Sequence, residues 1–365
     1  MNNGILTQAA HQWATRPADQ RFTSLPAMLA AMSYTRQRSK ARTISSRGIT
    51  TTPLEDDSKA LVAVGPGGAP AVLTHWSFGQ LAQRAGAPAG YLRDLPAPIA
   101  ADCINYGLQH ARSVEELGVL LYQNGGPAEL RAVTGPNYGR IWNSTIVHAL
   151  INRFGDGVTG HFRVPGEFGK RVEITAENTT LYASDRDMFV FLADEEHRIE
   201  IPNRRDGRSG SLARGFFVSN SEVGKSTLRV ATFLFDYVCC NRIVWGAEGY
   251  EEISVRHTAG APDRWIEDVK PAIEAYANSS TQSVRALVHE AQQRRIDDVD
   301  EFLAKRFSKS QVSAIKAAHF ADEQRPIETL WDAATGVTAY ARGIEYQDAR
   351  VDIEREGGRI LKLAA

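Results

Sequence analysis

The sequence predicts an α+β fold: a central, mainly antiparallel sheet with inserted helices, followed by a C-terminal helical subdomain. Over residues 129–249, short runs of β-branched and aromatic residues are bounded by Gly, Asn or Asp, which is typical of strands. After Pro262, apolar residues recur at helical spacing almost to the end of the chain. We therefore expect an N-terminal segment with a basic arm (1–60), an α+β core (61–260) and a helical subdomain (261–365).

A hairpin and three helices are expected before the central strands. Two apolar runs flank a Gly-Pro-Gly-Gly turn and predict the hairpin. The first two helices are short and are separated by Gly86, a pattern typical of a helix-turn-helix, and Ser77 is the expected N-cap of the first. In order, the predicted elements are strands 61–64 and 71–73 and helices 78–86, 88–95 and 98–112.

Seven strands and one helix are predicted in the central part. The helix spans residues 144–154, with Asn143 or Ser144 as its N-cap. The strands are 130–133, 172–175, 181–184, 188–192, 198–201, 215–219 and 227–232.

The C-terminal part is predicted to be helical because its apolar residues form stripes with charged residues on the other faces. The stripes are Trp265 to Tyr276, 300–307, 308–318 with Ser308 or Ser310 as cap, and 327–341, which Pro326 opens as a first-turn proline.

Charge is balanced over the whole chain, with 42 basic and 43 acidic side chains, but it is unevenly distributed. Residues 1–50 carry seven basic side chains and one acidic one. Residues 36–52 contain Arg36, Arg38, Lys40 and Arg42 and have almost no apolar residue that could pack them. We interpret this run as a phosphate-contacting arm that is mobile until it binds, and a solvated loop is the alternative.

Arginines on the predicted strands extend this interpretation. An exposed sheet face that carries arginines can follow phosphates while its aromatic residues stack on bases. Trp142 and Tyr138 are the stacking candidates. The phosphate-contact candidates are Arg131, Arg140, Arg214, Lys225, Arg229 and Arg242.

No motif in the chain predicts a cofactor or a metal centre. Gly224-Lys-Ser-Thr lacks the earlier glycine and the following helix of a phosphate-binding loop, and the nine histidines have no ligand spacing. Asp185 and Asp187 would share a face if they lay on a strand, which would suit metal or acid/base chemistry. A charged turn between two strands is the alternative.

Three ordered motifs resemble a known family. They are Phe78-Gly-Gln-Leu-Ala-Gln-Arg-Ala-Gly-Ala-Pro-Ala-Gly-Tyr-Leu92, Gly215-Phe-Phe-Val-Ser-Asn-Ser-Glu-Val-Gly-Lys-Ser-Thr-Leu-Arg-Val with Val238-Cys-Cys-Asn241, and Thr329-Leu-Trp-Asp-Ala-Ala-Thr-Gly-Val-Thr-Ala-Tyr340. Over about residues 60–345 the chain is similar to the phage- and plasmid-like family known as a domain of unknown function. The family has Asn-Gly after the cysteine, where Arg242 follows Asn241 here. The resemblance implies a mobile-element setting and assigns no chemistry to any residue.

Three functional hypotheses follow. The first is a non-enzymatic protein that binds single-stranded nucleic acid in recombination, annealing or replication, either as a single chain or as a homo-oligomer. The second is an interaction or counter-defence factor that engages a host protein through its C-terminal helices. The third is a metal-dependent nuclease centred on Asp185 and Asp187. We expect a cytoplasmic location and no membrane partner, because no run approaches the roughly 20 apolar residues of a membrane span and no secretory signal opens the chain.

Overall fold

Two β-sheets, rather than one, organise the chain. The computed structural model describes residues 18–54, 57–65, 68–165, 173–177, 179–202, 204, 209–236, 241–243, 252–344 and 347–365. Both sheets are almost entirely antiparallel, and helices lie between their strands and after them. The predicted α+β class is therefore confirmed. The antiparallel strands form two sheets, because strand 130–133 pairs in the first sheet and not with the later strands.

The first sheet, called here the N-terminal sheet, has six strands. In spatial order they are β2 (Ser39–Ser45), β6 (Glu116–Tyr122), β7 (Ala128–Thr134), β5 (Ala71–Leu73), β4 (Asp57–Val64) and β3 (Thr50–Leu54). The pair β5 and β7 is parallel, and all other pairs are antiparallel. The pairing of β4 with β5 confirms the predicted hairpin.

The basic run forms strand β2 of this sheet, where the sequence predicted a mobile arm. Each residue of β2 has a partner on β6, from Ser39 opposite Tyr122 to Ser45 opposite Glu116. The edge of β6 has backbone groups that need hydrogen bonds, and the basic run satisfies them although its own side chains are mostly exposed. Pairing of the backbone, and not packing of the side chains, orders this segment.

Three helices cover one face of the N-terminal sheet: α2 (His75–Arg84), α3 (Ala89–Asp94) and α4 (Ala97–His110). Leu81 and Leu92 are buried beneath them, so the predicted helix-turn-helix is a packing unit of this layer. The expected cap Ser77 was wrong. Thr74 caps α2, and Ser77 completes the capping box by accepting the Thr74 N–H at 3.0 Å.

The second sheet, called here the C-terminal sheet, has nine antiparallel strands among the described residues. The main order is β1 (Arg21–Phe22), β9 (Leu181–Ala183), β10 (Met188–Asp194), β12 (Gly210–Asn220), β13 (Leu228–Asp236) and β14 (Asn241–Ile243), while β8 (Phe162–Arg163), β11 (Ile199–Ile201) and β15 (Glu252–Val255) pair with β10, β12 and β13. Of the predicted strand 172–175, residues 173–175 form no strand and Val172 lies outside the described residues.

Two helices from the first half of the chain pack on one face of the C-terminal sheet. They are α1 (Leu25–Gln37) and α5 (Asn143–Phe154), and their apolar residues join the largest core. The predicted caps of α5 were wrong: the helix begins after Trp142, and no side chain of Asn143 or Ser144 caps it. The Asn143 side-chain oxygen instead accepts from the side chain of Asn220, at the end of β12, at 2.7 Å.

The C-terminal part is helical, as predicted. Its elements are α6 (Ala261–Arg264), a π-helical turn (Trp265–Val269), α7 (Lys270–Asn278), α8 (Gln282–Gln293), α9 (Val299–Ala304), α10 (Lys309–Glu323), α11 (Leu330–Ala341) and α12 (Gln347–Lys362). Ser308 caps α10 as predicted, with Gln311 completing the capping box. Helix α11 begins three residues later than expected, because Thr329 is its cap. Helix α12 was missed.

No helix in the part of the chain that the structure describes is long and apolar enough to cross a membrane.

Substitution of Gly215 tests the packing of the C-terminal sheet. A Cβ at this position would lie 2.4 Å from the Phe233 ring and 2.9 Å from the Leu192 carbonyl oxygen. We expect Gly215→Ala to lower the free energy of unfolding by about 1–3 kcal/mol, as overpacking does in well-packed interiors. Chemical denaturation measures the change. Gly90 on α3 has open space around it, so the control Gly90→Ala should be neutral or stabilising. An unchanged stability of Gly215→Ala would contradict this packing.

Candidate nucleic-acid interface

The loop between β12 and β13 lies between the two sheets. We call residues 220–226 the inter-sheet loop. Asn220, Ser221, Glu222 and Val223 are fully or almost fully buried, although three of the four are polar. Gly224 has a φ of +83°, in the left-handed region that favours glycine, and this lets the chain turn back toward β13. A buried polar loop requires partners for its polar groups, and both sheets provide them.

Glu222 has the densest set of contacts in this loop. Its carboxylate accepts from both terminal nitrogens of Arg131 at 3.4 Å and from the backbone N–H of Asn143 at 2.9 Å. Its backbone carbonyl accepts from Arg140 at 3.2 Å. The carboxylate therefore occupies the N-terminus of α5, where the unpaired N–H groups and the helix dipole favour a negative charge.

The backbone carbonyls next to Glu222 are bound by the N-terminal sheet and its first helix. Trp76 and Gln80 on α2 donate to the Val223 carbonyl at 2.9 and 2.8 Å. The Tyr138 hydroxyl donates to the Ser221 carbonyl at 2.8 Å. These contacts fix the position of the inter-sheet loop against the N-terminal sheet.

The predicted carboxylate pair lies beside this loop. Residues 184–187 form a turn between β9 and β10, which is the alternative that the sequence left open, and not a strand. Asp187 is buried, accepts from Ser184 and pairs with Lys225. Asp185 is half-exposed beside Arg186. Among the described residues no three His, Cys, Asp or Glu side chains are grouped closely enough to hold a metal ion.

Cationic and aromatic side chains alternate along the segment before α5. Arg36 lies over the Trp142 ring with 5.2 Å to the centroid, and Arg140 lies 5.7 Å from Trp142 and 5.3 Å from the Tyr138 ring. Tyr138 stacks on His257 with centroids 4.8 Å apart. We call these five residues the cation–aromatic column. Guanidinium groups and aromatic rings attract each other in this arrangement.

Burial determines the charge states along the column. It lowers the pKa of Arg140, raises the pKa of Tyr138 above its ordinary value and lowers the pKa of His257. At neutral pH the tyrosine and histidine are therefore neutral, while the guanidinium of Arg140 keeps its charge. Arg36 is the exposed outer member, and it donates to the Thr145 hydroxyl at 2.9 Å.

The structure brings only some of the predicted contact residues to this surface. Arg36, Arg140, Trp142 and Tyr138 meet in the column. Arg38 lies at the end of α1, over the exposed Tyr34 ring at 3.5 Å. Because strand residues alternate between faces, Lys40 and Arg42 lie with Ile44 on the helix-covered face, opposite to Ser39, which contacts Arg131.

The other predicted cations have different surroundings. Arg131 is 6% exposed and paired with Glu222, and Arg214 is 4% exposed and paired with Asp194 at 3.1 Å, so phosphates do not reach either guanidinium. Lys225 is paired with Asp187. Arg229 lies on β13 near Arg355, on the sheet face opposite to α1 and α5. The side chain of Arg242 lies outside the described residues.

Sequence reasoning missed Glu222, Trp76, Gln80 and His257. The missed signal was the run from Ser219 to Ser226, polar apart from Val223 and Gly224, which lies between two apolar strands and is longer than a tight hairpin turn requires.

Fold and site together define an α+β protein whose two sheets are joined through a buried, charged loop next to a cation–aromatic column that is exposed at Arg36. The chain belongs to the family described as a domain of unknown function, DUF932, which matches residues 169–356, just over half of the chain. The matched range includes most of the C-terminal sheet, the inter-sheet loop and the helices up to α12. No curated protein and no solved structure matches the chain.

Removal of the Glu222 charge tests the junction between the sheets. Glu222→Gln keeps the shape but leaves Arg131 buried without its counter-charge, so the free energy of unfolding should fall by about 3–5 kcal/mol. Urea denaturation followed by circular dichroism measures it. The matched control is Glu115→Gln, which breaks the exposed pair with Arg84 and should cost less than about 1 kcal/mol. Equal effects of the two substitutions would show that the Glu222 pair does not hold the junction.

Proposed function

We propose that this protein binds single-stranded nucleic acid on the surface formed by the cation–aromatic column and the neighbouring Tyr34 and Arg38. The observation that carries the proposal is the alternation of guanidinium planes and aromatic rings, with Arg36 at its exposed end. Guanidinium planes and aromatic rings are the groups on which unpaired bases stack, and the same cations neutralise phosphates. Bases in a duplex are already stacked on each other, so their ring faces are not available to the protein.

Arg36 and Arg38 are the phosphate-contacting residues in this proposal. Among the described residues neither guanidinium is within salt-bridge distance of a carboxylate, in contrast to Arg131, Arg214 and Lys225. Their charge is therefore available to a polyanion. Tyr34 and Trp142 provide the rings, and Arg140 holds Trp142 from its inner side.

The column is fixed before any ligand arrives. Arg140 donates to the Glu222 carbonyl, Tyr138 donates to the Ser221 carbonyl and the ring of His257 contacts the Gly139 carbonyl at 3.0 Å. A fixed platform reduces the conformational entropy that binding would otherwise cost. Recombination, annealing and replication are the processes in which such binding would act.

Charge removal where α1 ends tests the proposal. The double variant Arg36→Gln and Arg38→Gln should weaken binding of a labelled oligonucleotide of about 20 nucleotides by at least tenfold, and it should reduce the salt slope by about 1–2, since each lost phosphate contact removes released counterions. Fluorescence anisotropy over a salt series measures both quantities.

The matched control removes two charges from β2, on the face of the N-terminal sheet that the helices cover. Lys40→Gln with Arg42→Gln should change the affinity by less than threefold, apart from a general effect of net charge on long-range attraction. If both double variants lose affinity equally, binding follows net charge and not the column. If the unaltered protein shows no anisotropy change at low salt and micromolar concentration, the proposal fails.

A further inference from the structure

A second cluster of charged and aromatic side chains lies at the other end of α5. There, a cavity of about 440 Å³ is lined by charged, imidazole and aromatic side chains. The residues that line it are Arg153, Phe154, Gly160, His161, Phe162, Asp194, His197, Ala277 and Asn278. We call it the two-histidine cavity. Helix α5 has 12 residues, so about 18 Å along its axis separates this cavity from the cation–aromatic column.

The two imidazoles are parallel. The rings of His161 and His197 stack with centroids 5.3 Å apart and an angle of 10° between their planes. Each ring is held through Nδ1 by a carboxylate: His197 by Asp194 at 3.0 Å and His161 by Glu196 at 3.0 Å. A carboxylate at Nδ1 fixes the tautomer of a neutral imidazole so that Nε2 accepts a proton.

The carboxylate that holds His197 is itself fixed. Asp194 is 1% exposed, and it accepts from Arg214 at 3.1 Å and from the His197 backbone N–H at 3.1 Å. Arg214 in turn donates to the Ser279 hydroxyl at 2.9 Å, just after the end of α7. A surface ion pair does not need such a buried support, whereas an imidazole that must keep one orientation does.

Two imidazoles at this separation place a general base beside a general acid when one ring is neutral and the other is protonated. Arg153 lies at the same cavity, bonded to Asn278, and supplies a positive charge for an anionic substrate. The part of the lining that the structure describes includes no serine, threonine, cysteine or lysine nucleophile.

These features define the substrate class. A base, an acid and a cation, with no serine, threonine, cysteine or lysine in the described lining, suit a substrate that carries its own nucleophile next to an anionic centre. A phosphodiester with a neighbouring hydroxyl is such a substrate, and RNA contains one at every 2′-oxygen. Phe154 and Phe162 form the buried apolar floor of the cavity.

We propose that the two-histidine cavity cleaves single-stranded RNA by internal transphosphorylation. Neutral His197 takes the proton of the 2′-hydroxyl as the 2′-oxygen forms a bond to phosphorus. Protonated His161 gives its proton to the 5′-oxygen as the bond from phosphorus to that oxygen breaks. The products are a 2′,3′-cyclic phosphate and a 5′-hydroxyl, and the protonated and neutral rings exchange roles until solvent restores them. Arg153 neutralises the phosphoryl oxygens.

The experiment incubates the full-length protein with a 5′-labelled single-stranded RNA and with its DNA and 2′-O-methyl counterparts. The RNA should be cleaved to fragments ending in 2′,3′-cyclic phosphate, and the other two strands, which lack the nucleophile, should stay intact. His197→Ala and His161→Ala should each reduce the cleavage rate by about 10²–10⁴-fold, which is the usual contribution of one acid or base. His289→Ala, which alters an exposed histidine on α8, should cleave at the unaltered rate.

Binding measured on the 2′-O-methyl strand separates this inference from the proposed function, because the column is intact in both histidine variants. Circular dichroism verifies that the variants fold. Intact RNA after incubation with the unaltered protein overturns the inference, as does cleavage that both histidine variants retain, or cleavage of the DNA strand at a similar rate. If the unaltered protein cleaves RNA but does not bind the 2′-O-methyl strand, the result contradicts the proposed function alone.

Discussion

The buried carboxylate of Glu222 is the contact on which the arrangement of the two sheets depends. It belongs to the loop that follows β12, yet its partners are Arg131 on β7 and the N-terminus of α5. A buried charge is costly unless it is paired and hydrogen-bonded, so the sequence is constrained to bring all three elements to one point. The gain is geometric more than energetic. Charged groups with directional partners specify one arrangement of the sheets, whereas apolar contact alone would allow several.

Helix α5 transmits this constraint along the molecule. Its N-terminus is held by Glu222, and its C-terminal residues Arg153 and Phe154 line the two-histidine cavity. Strand β10 runs between the same two places, from Met188 beside Asp187 to Asp194 in the cavity wall. Both ends of the C-terminal sheet therefore carry a buried ion pair that positions exposed groups: Arg131 with Glu222 at one end and Arg214 with Asp194 at the other.

Local pattern predicted the elements better than it predicted their partners. Strand 188–192 and the Ser308 cap follow from residues close together in sequence, and the structure confirms both. The division into two sheets does not follow, because strand 130–133 is equally suited to either sheet until β6 and β5 pair with it. The basic run was predicted to be mobile for the same reason. Its order comes from backbone hydrogen bonds to β6, and the types of its own side chains do not indicate these bonds.

The arginines show the same limit at the candidate site. Sequence spacing placed Arg131, Arg140 and Arg214 in one group, but their partners separate them: Arg131 and Arg214 neutralise buried carboxylates, while Arg140 lies between two rings. Which arginine is exposed depends on where the fold places each distant Asp or Glu. The local sequence around an arginine does not predict that position. Among the described residues, part of the balance of 42 basic and 43 acidic side chains is internal pairing, and the cations that remain for a ligand are set by exposure and not by count. Arg36 and Arg38 qualify because they lie where α1 ends, beyond the reach of any carboxylate among the described residues, and next to rings that can share a stack with bases.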